Sequence, residues 1–394
     1  MKRILFIAPA ALPVNGAESI VNFKLLQLLA KNGFIIDLVT KKYKNTTYPD
    51  ANITIENVNV KSVEVDNRIN LKTFLQHLLT LLVFGVCYKG SHWAYCALPV
   101  CKKLLQENDY DYIFTKNYPS ELLGAFLKRK YGIKWFATWN DPFPKHKYPA
   151  PYAEGPKSKK WFTAKLLRHM SEADIHIFPN IRLRNYMLQY LNVSLEKTRV
   201  IAHICQTTET GMKEYGEQLK LIHSGNLGTM RDPSKFLTAF AKFIQKNPAV
   251  KINLTFVGQT GDAPQKLAKQ LGIDQFLTFL PPVDYFENLN LLKNFDVSVI
   301  IEANLQEGIF LPTKVGDAMQ LRKKIFAVSP NKGVLHDLYE NKNIDYCANV
   351  ADEQSILEEL ERCYNDFLVH NSKEICKIPS EYSEKYILDQ YTSL

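Results

Sequence analysis

The sequence lacks the cysteine patterns that mark several classes of protein. Its seven cysteines form no Cys-x-x-Cys pair and no Cys/His spacing of the kind that binds zinc. This pattern excludes a disulfide-stapled or zinc-stapled small domain, and it indicates reduced thiols in a cytoplasmic protein.

Long hydrophobic runs are missing as well. The most apolar stretch, residues 78–87, is shorter than the ~20 residues that a bilayer-spanning helix needs. The apolar run at the N-terminus is closed by Pro9 and Pro13, and no small-residue cleavage site follows it. We therefore predict a first β-strand here rather than a signal peptide.

Charge is present in moderate amount and is biased to one sign. The 394 residues are 46% hydrophobic and 23% charged, with a formal net charge of +9. This length is too great for one ordinary core, so we expect two domains. Excess positive charge favours partners that carry phosphate, such as nucleotides, nucleic acid or an anionic membrane face. No nucleic acid is expected, because the basic residues are dispersed and no RNA- or DNA-binding motif is present.

The hydrophobic pattern of the N-terminal half alternates between strand and helix. Strands are predicted at residues 4–8, 34–39, 112–115, 133–138 and 174–178. Helices are predicted between them at residues 20–32, 121–130 and 183–191. Continuous apolar runs such as residues 4–8 are typical of parallel strands that are buried on both faces.

A second alternation begins near Leu219. Strands are predicted at residues 220–223, 252–257, 276–280, 297–301 and 325–329, and helices at residues 236–245, 289–293 and 314–320, with another ending at Leu271. The pattern predicts an α/β fold of two Rossmann-like domains with right-handed crossovers. We place the domains at residues 1–205 and 206–380, with a polar boundary at 206–217. Residues 381–394 are expected to form a terminal helix that packs back on the first domain.

The strongest candidate site is the strand-end segment 307–319, because ligands of open α/β sheets collect at the carboxyl ends of the strands. Lys314 lies at a predicted helix start, where a lysine opposes the helix dipole unless an anion is bound. Asp317 follows within one turn and could accept hydrogen bonds from a ribose. A cation for phosphates and a carboxylate for hydroxyls favour a nucleotide site. The alternative is a helix start with solvated side chains.

A second strand-end loop, residues 224–233, carries glycines and Arg231. Glycine lets the backbone approach a ligand closely, and arginine can bind a diphosphate through two parallel hydrogen bonds. The loop lacks both GK[ST] and GxGxxG, so a plain turn is the alternative. The loop 15–18, which follows the first strand, has the same geometry in the first domain.

Taken in order, these motifs resemble those of the GT-B glycosyltransferases, specifically the retaining family 4, over nearly the whole chain. The matching segments are Gly16-Ala17-Glu18 with the helix end Asn32-Gly33-Phe34, Ser224-Gly225-Asn226-Leu227-Gly228 with Arg231, Phe256-Val257-Gly258, and Pro312-Thr313-Lys314 followed by Asp317-Ala318-Met319. The resemblance implies two Rossmann-like domains that face each other across a cleft.

The resemblance also implies roles for individual residues. Arg231 and Lys314 would neutralise the donor diphosphate as it departs, and Glu307 would act on the donor sugar. Asp317 would bind the ribose, and the main chain at Val283 would hold the base. The other implied donor contacts are Gly16, Gly225, Asn226, Gly258, Gly308, Ile309 and Phe310. No metal and no cofactor are implied, because the two cations would do the work of a divalent ion and the nucleotide sugar is a substrate.

Two features depart from the family pattern. Nine residues separate Glu307 from Asp317, where the family usually has seven. Asn140 stands where a histidine commonly follows the fourth strand, and an amide cannot shuttle a proton near neutral pH. Asn140 and Asp141 are therefore candidates for contacts with the acceptor, with a strand-end turn as the alternative.

These observations predict a metal-independent glycosyltransferase that transfers a sugar, with retention, from a nucleotide sugar to a saccharide or a lipid-linked saccharide. Its expected setting is polysaccharide or glycoconjugate synthesis in the cytoplasm. The alternatives are another GT-B enzyme, namely a nucleotide-sugar epimerase or an inverting transferase, and a non-enzymatic basic protein that binds nucleic acid.

Residues 71–95 leave a separate question open. They mix apolar side chains with Lys72, Lys89 and His92. One interpretation is an interfacial patch that contacts the anionic inner face of a membrane. The other is a buried core helix followed by a solvated loop.

Overall fold

The computed structural model describes residues 2–42, 53–66, 68, 70–87, 90–143, 160–206, 216–228, 231–369 and 378–394, with residues 160 and 161 described by their backbone alone. The chain divides into two compact units. Unit 1 holds the described residues as far as Ala202 together with Ile387–Leu394, and unit 2 holds those within His203–Tyr386. Most of the predicted boundary stretch, residues 206–217, lies outside the described residues.

Unit 1 is built on a parallel sheet with the strand order β3-β2-β1-β4-β5-β6-β7. Its strands are β1 (Arg3–Ile7), β2 (Ile35–Lys42), β3 (Val58–Glu64), β4 (Tyr112–Lys116), β5 (Trp135–Thr138), β6 (Ile175–Phe178) and β7 (Thr198–Val200). Its helices are α1 (Ala17–Lys31), α2 (Leu71–Phe84), α3 (His92–Glu107), α4 (Ser120–Tyr131), α5 (Lys160–Met170) and α6 (Ile181–Leu188).

Unit 2 is built on a second parallel sheet with the order β10-β9-β8-β11-β12-β13. Its strands are β8 (Leu219–Ser224), β9 (Ile252–Val257), β10 (Leu277–Leu280), β11 (Val297–Ile301), β12 (Lys324–Ser329) and β13 (Tyr346–Asn349). Its helices are α7 (Ser234–Lys246), α8 (Ala263–Gln270), α9 (Tyr285–Leu292), α10 (Thr313–Gln320), α11 (Val334–Glu340) and α12 (Glu353–Val369).

The central strands explain why the sequence folds in this way. The β1 residues Ile4 to Ile7 are fully buried, as a strand covered by helices on both faces requires. The helix α1 begins where the Ser19 hydroxyl accepts hydrogen bonds from the amides of Asn15 and Gly16 at 2.9 Å.

In each unit the strand order reverses beside the first strand, between β1 and β4 and between β8 and β11. Such reversals place ligand sites at the carboxyl ends of those strands.

The chain ends within unit 1, in helix α13 (Glu384–Thr392). The Tyr391 ring lies 5.6 Å from the Phe114 ring of β4. The Lys2 ammonium donates to the Thr392 carbonyl at 3.1 Å, and the Lys134 ammonium donates to the Leu394 carbonyl at the same distance. The last turn of the chain is therefore fixed against the strands of unit 1.

The predicted α/β fold with two Rossmann-like sheets is confirmed, and each predicted strand is present within a few residues of its predicted bounds. The predicted helix at 289–293 begins earlier, at Tyr285, because Asp284 caps it by accepting from the amides of Phe286 and Glu287. Within the described part of the chain, no helix combines the length and apolar character needed to cross a bilayer.

Candidate functional site

Two glycine-containing loops approach each other at the carboxyl edge of the sheet in unit 2. The Gly225 amide, just after β8, donates to the Val257 carbonyl at 2.7 Å. Gly258, just after β9, has a φ of +125°. A Cβ atom at Gly258 would lie 3.0 Å from the Gly225 carbonyl carbon and oxygen. This approach requires glycine, since a side chain would be both strained and crowded.

Lys314 reaches back from the first turn of α10 to these loops. Its ammonium lies 2.7 Å from the position that a Cβ at Gly225 would occupy. The same ammonium lies 3.2 Å from Nε2 of His223, which is fully buried in β8. The structure therefore places the lysine of α10 beside the glycine loop after β8. Its role toward a donor diphosphate stays a prediction.

His223 has a defined hydrogen-bonding role beside this lysine. Its Nδ1 lies 3.0 Å from the Val299 carbonyl, which can only accept, so Nδ1 carries the proton. Burial, together with Lys314, holds the pKa of His223 well below its usual range. The neutral ring therefore presents Nε2 as an acceptor for the Lys314 ammonium. Sequence reasoning treated His223 as an ordinary strand residue, and the pairing depends on a contact 91 residues away along the chain.

Arg231 is the second cation of this cluster. Its amide and carbonyl pair with those of Gly228, so the loop turns back just before α7. Burial, and after it the charge of Arg231, lowers the pKa of Lys314 to about 7. Because Arg231 influences Lys314 in this way, the two cations lie within electrostatic range of each other.

Glu302 is a residue of the site that sequence reasoning missed. It directly follows β11, is 7% exposed, and its Oε2 has no hydrogen-bond partner among the residues that the structure describes. Burial raises the pKa of Glu302 to about 7, and Arg231 opposes this rise. A signal was available, since an acidic residue after a continuous apolar strand lies at the ligand edge of the sheet. The resemblance to family 4 directed attention to Glu307 instead, although its distance from Asp317 departs from the family's spacing.

Glu307 lies farther along the same loop. Its carboxylate pairs with Lys332 at 3.3 Å, and both side chains are partly exposed. Gly308 is held by the next loop, because its amide donates to the Lys332 carbonyl and its carbonyl accepts from the Val334 amide. Of the neighbouring candidates, Ile309 is buried and Phe310 is half-buried. Their contacts with a donor sugar stay predictions.

The remaining donor candidates lie around the same edge of unit 2. Asp317 is 5% exposed and accepts a hydrogen bond from the Tyr285 hydroxyl at 3.0 Å. Val283 follows β10 and packs beside a small apolar cluster. Asn226 accepts from the Gln259 amide at 3.3 Å, which links the loops after β8 and β9. A ribose contact at Asp317 and a base contact at Val283 stay predictions.

A second polar cluster lies at the corresponding edge of unit 1. Glu18, in the first turn of α1, accepts hydrogen bonds from the side-chain amides of Asn117 and Asn140 at 2.8 Å each, and from that of Asn22 at 3.1 Å. The Asn140 backbone amide donates to the Asn117 side chain at 2.9 Å. Asn140 is therefore fixed between the ends of β4 and β5. Asp141 beside it is exposed.

Lys116 and Glu121 extend this cluster, and sequence reasoning named neither. Lys116, at the end of β4, is 2% exposed, and burial lowers its pKa to about 8 while Glu18 opposes the shift. Glu121 is fully buried, and burial raises its pKa to about 8. Among the residues that the structure describes, none lies within 4 Å of a Cβ at Gly16, so their packing does not demand glycine there. Its predicted contact with the donor stays a prediction.

The cluster of unit 2 can hold an anion. Arg231 and Lys314 supply positive charge at the point where strand order reverses, and the N-terminus of α10 adds the positive end of its dipole. In the described part of the chain, no group of three or more His, Cys, Asp or Glu side chains could hold a metal ion. The arrangement therefore suits a diphosphate.

A comparison with protein-family models finds a match in the N-terminal half of the chain. The model for Glycosyltransferase Family 4 matches residues 14–207. This segment runs from the loop before α1 to beyond β7 and contains the cluster around Glu18. A search of curated protein sequences finds no match.

Solved structures resemble the chain over its whole length at low sequence identity. HepE of Anabaena in complex with UDP and glucose has a TM-score of 0.63 at 12% identity, covering 100% of both chains. A glycosyltransferase from Rickettsia africae has a TM-score of 0.66 at 11% identity, covering 100% of this chain and 97% of that one. A trehalose-6-phosphate structure from E. coli, bound with UDP-2-fluoro glucose, has a TM-score of 0.60 at 15% identity, covering 100% and 96%. These likenesses show a common fold.

Proposed function

Because the chain belongs to glycosyltransferase family 4 through residues 14–207, we propose that it transfers a sugar from a nucleotide-sugar donor, held by unit 2, to a saccharide or lipid-linked saccharide acceptor, held by unit 1. The family and the GT-B fold make it a glycosyltransferase. The donor, the acceptor and the retention of anomeric configuration are parts of the proposal. Polysaccharide or glycoconjugate synthesis is the setting that we propose.

The observation that carries the donor assignment is the position of Lys314 beside the glycine loop that carries Arg231, whose charge lowers the pKa of Lys314. When the glycosidic bond breaks, negative charge develops on the leaving diphosphate. Two cations placed beside the leaving group would stabilise that charge in the transition state. We therefore propose that transfer needs no divalent metal.

A uridine nucleotide is the donor class that we propose first. HepE of Anabaena is complexed with UDP and glucose, and the E. coli structure is bound with UDP-2-fluoro glucose.

The described cysteines form no disulfide, which supports action in the reducing cytoplasm. They are Cys87, Cys96, Cys101, Cys205, Cys347 and Cys363.

A thermal-shift screen with UDP-, GDP- and ADP-sugars tests the donor proposal. A ligand that binds only the folded state stabilises it by mass action, by about 2.7 kcal/mol at a hundred times its Kd. We expect one nucleotide class to raise the Tm of the wild type and to have little effect on the Arg231→Ala/Lys314→Ala double variant. No shift with any nucleotide sugar, or an equal shift in both proteins, would refute the donor site.

Product analysis tests the stereochemistry separately. NMR of the product formed from an α-linked donor is expected to show an α-linkage. A β-linked product would assign the enzyme to the inverting class, and a free epimerised sugar nucleotide would assign it to the epimerases. Neither result would contradict donor binding in unit 2.

A further inference from the structure

The helix α2 of unit 1 carries its apolar stripe on the solvent side. Seven large apolar side chains recur along it at helical spacing and are between 36% and 75% exposed: Leu71, Phe74, Leu75, Leu78, Leu79, Leu82 and Val83. Thr73 and Thr80 are buried on the other face. A surface helix of a globular protein normally has the opposite arrangement, with the apolar stripe toward the core.

This exposure belongs to a well-formed helix. The Asn70 side chain caps the N-terminus by accepting from the Thr73 amide at 2.9 Å, and Gly85 ends the helix with a φ of +64°. The ring of His77 lies 4.6 Å from that of His92 on α3. The Phe84 carbonyl accepts from Nε2 of His169 on α5 at 3.0 Å. The contacts with α3 and α5 thus hold the polar face and the C-terminal end of the helix to unit 1.

Helix α2 itself carries no acidic side chain, and Asp66 just before it is paired with Arg68 at 3.0 Å. No Asp or Glu occurs in the sequence between Asp66 and Glu107, a segment that holds five Lys and Arg residues. Lys72 is exposed on α2 itself. Lys165 of α5 lies at the other end of the helix, with its ammonium next to Gly85. Lys89 lies outside the described residues.

We propose that α2 is an interfacial helix through which unit 1 binds an anionic lipid surface. Its 14 residues span about 21 Å, which is too short to cross a bilayer but suits a helix lying in the headgroup region. The cations at its ends complement anionic headgroups. A second copy of the chain would instead bring the exposed Lys72 of each copy toward the other, so charge favours lipid over self-association.

Co-sedimentation of the full chain with vesicles tests this assignment. We expect the wild type to bind equimolar phosphatidylglycerol/phosphatidylcholine vesicles at low salt. Binding should be at least about tenfold weaker to pure phosphatidylcholine and should fall as salt rises. The test variant is Leu71→Glu/Leu82→Glu. Its matched control is Leu195→Glu/Leu368→Glu, which makes the same changes at leucines that are 61% exposed and distant in sequence from α2.

The test variant is expected to lose at least about tenfold in affinity for the anionic vesicles, and the control to bind like the wild type. An unchanged far-UV circular dichroism spectrum and Tm would show that both variants are folded. The absence of wild-type binding at low salt, or equal losses in the two variants, would overturn the proposal. So would a wild-type dimer in solution that the test variant abolishes, because it would assign the face to a second copy. Nucleotide binding by unit 2 should be unaffected in both variants.

Discussion

Lys314 and Arg231 both supply positive charge, but the two side chains differ in whether they lose that charge near neutral pH. Arginine stays charged at every accessible pH, whereas the pKa of Lys314 is lowered to about 7 by burial and by Arg231. The neutral His223 ring can accept a hydrogen bond from Lys314 whether the lysine side chain is a charged ammonium or a neutral amine. The two cations can therefore lie close together without a ligand, since Lys314 can release its proton and regain it when an anion binds.

Removing either cation is expected to slow transfer strongly. Arg231→Ala and Lys314→Ala should each cost about 2–4 kcal/mol of transition-state stabilisation, which is the range for one preorganised electrostatic donor. Steady-state kcat/KM should fall roughly 30- to 1000-fold. The exposed Lys293 in the same unit provides the control Lys293→Ala, which should retain wild-type turnover. Near-wild-type kcat/KM in both site variants would remove the two cations from the mechanism.

Donor affinity should depend on pH through Lys314. The diphosphate binds the protonated lysine better, and the free site has its pKa at about 7. Affinity should therefore be highest below pH 7 and weaken as pH rises above it, by up to about tenfold per pH unit. Titration calorimetry between pH 6 and 9 with an intact nucleotide sugar checks this, because its diphosphate does not titrate in that range. Lys314→Arg should flatten the profile; equal slopes in both proteins would contradict the account.

Sequence analysis could single out a candidate site residue where that residue belongs to a recognisable motif. Lys314 and Arg231 come from segments whose order resembles family 4, and the structure brings Lys314 to the glycine loop. Glu302 and Lys116 belong to no such motif, although each ends a strand at the ligand edge of its sheet. Their altered pKa values come from burial, which depends on elements distant in sequence.

At the scale of elements, the glycine loops of unit 2 depend on close contact between two backbones. Gly258→Ala places a Cβ at a φ of +125° and 3.0 Å from the Gly225 carbonyl group. We expect a loss of about 1–3 kcal/mol in the free energy of unfolding of unit 2, measured by chemical denaturation, and weaker donor binding. Gly216→Ala is the control, since no described residue lies within 4 Å of its Cβ position. Equal stability of the two variants would show that the contact is not required.

Sequence analysis predicted the buried central strands most accurately. Central strands such as β1 and β11 are continuous apolar runs and were found almost to the residue. The edge strands β3 and β7 were missed because most of their side chains are exposed, so they carry little hydrophobic signal. The short edge strand β13, in which buried and half-buried residues alternate, was missed as well. The helix α2 has a clear apolar stripe, but the pattern alone cannot show which way the stripe faces.

At the scale of the whole molecule, the same topology occurs twice. Both sheets reverse their strand order beside their first strand, and each carries a polar cluster at that point, around Glu18 in unit 1 and around Lys314 in unit 2. The alternation of strands and helices was enough to predict two Rossmann-like sheets. The ligand of each cluster could not be predicted from this alternation, because the same topology serves many chemistries.

The central claim is that the cluster of unit 2 receives the diphosphate of a nucleotide sugar. A crystal structure of the chain with bound UDP or a UDP-sugar tests it most directly. We predict phosphate oxygens within hydrogen-bonding distance of the Arg231 guanidinium and the Lys314 ammonium. A nucleotide bound with its phosphates away from both side chains would contradict the account.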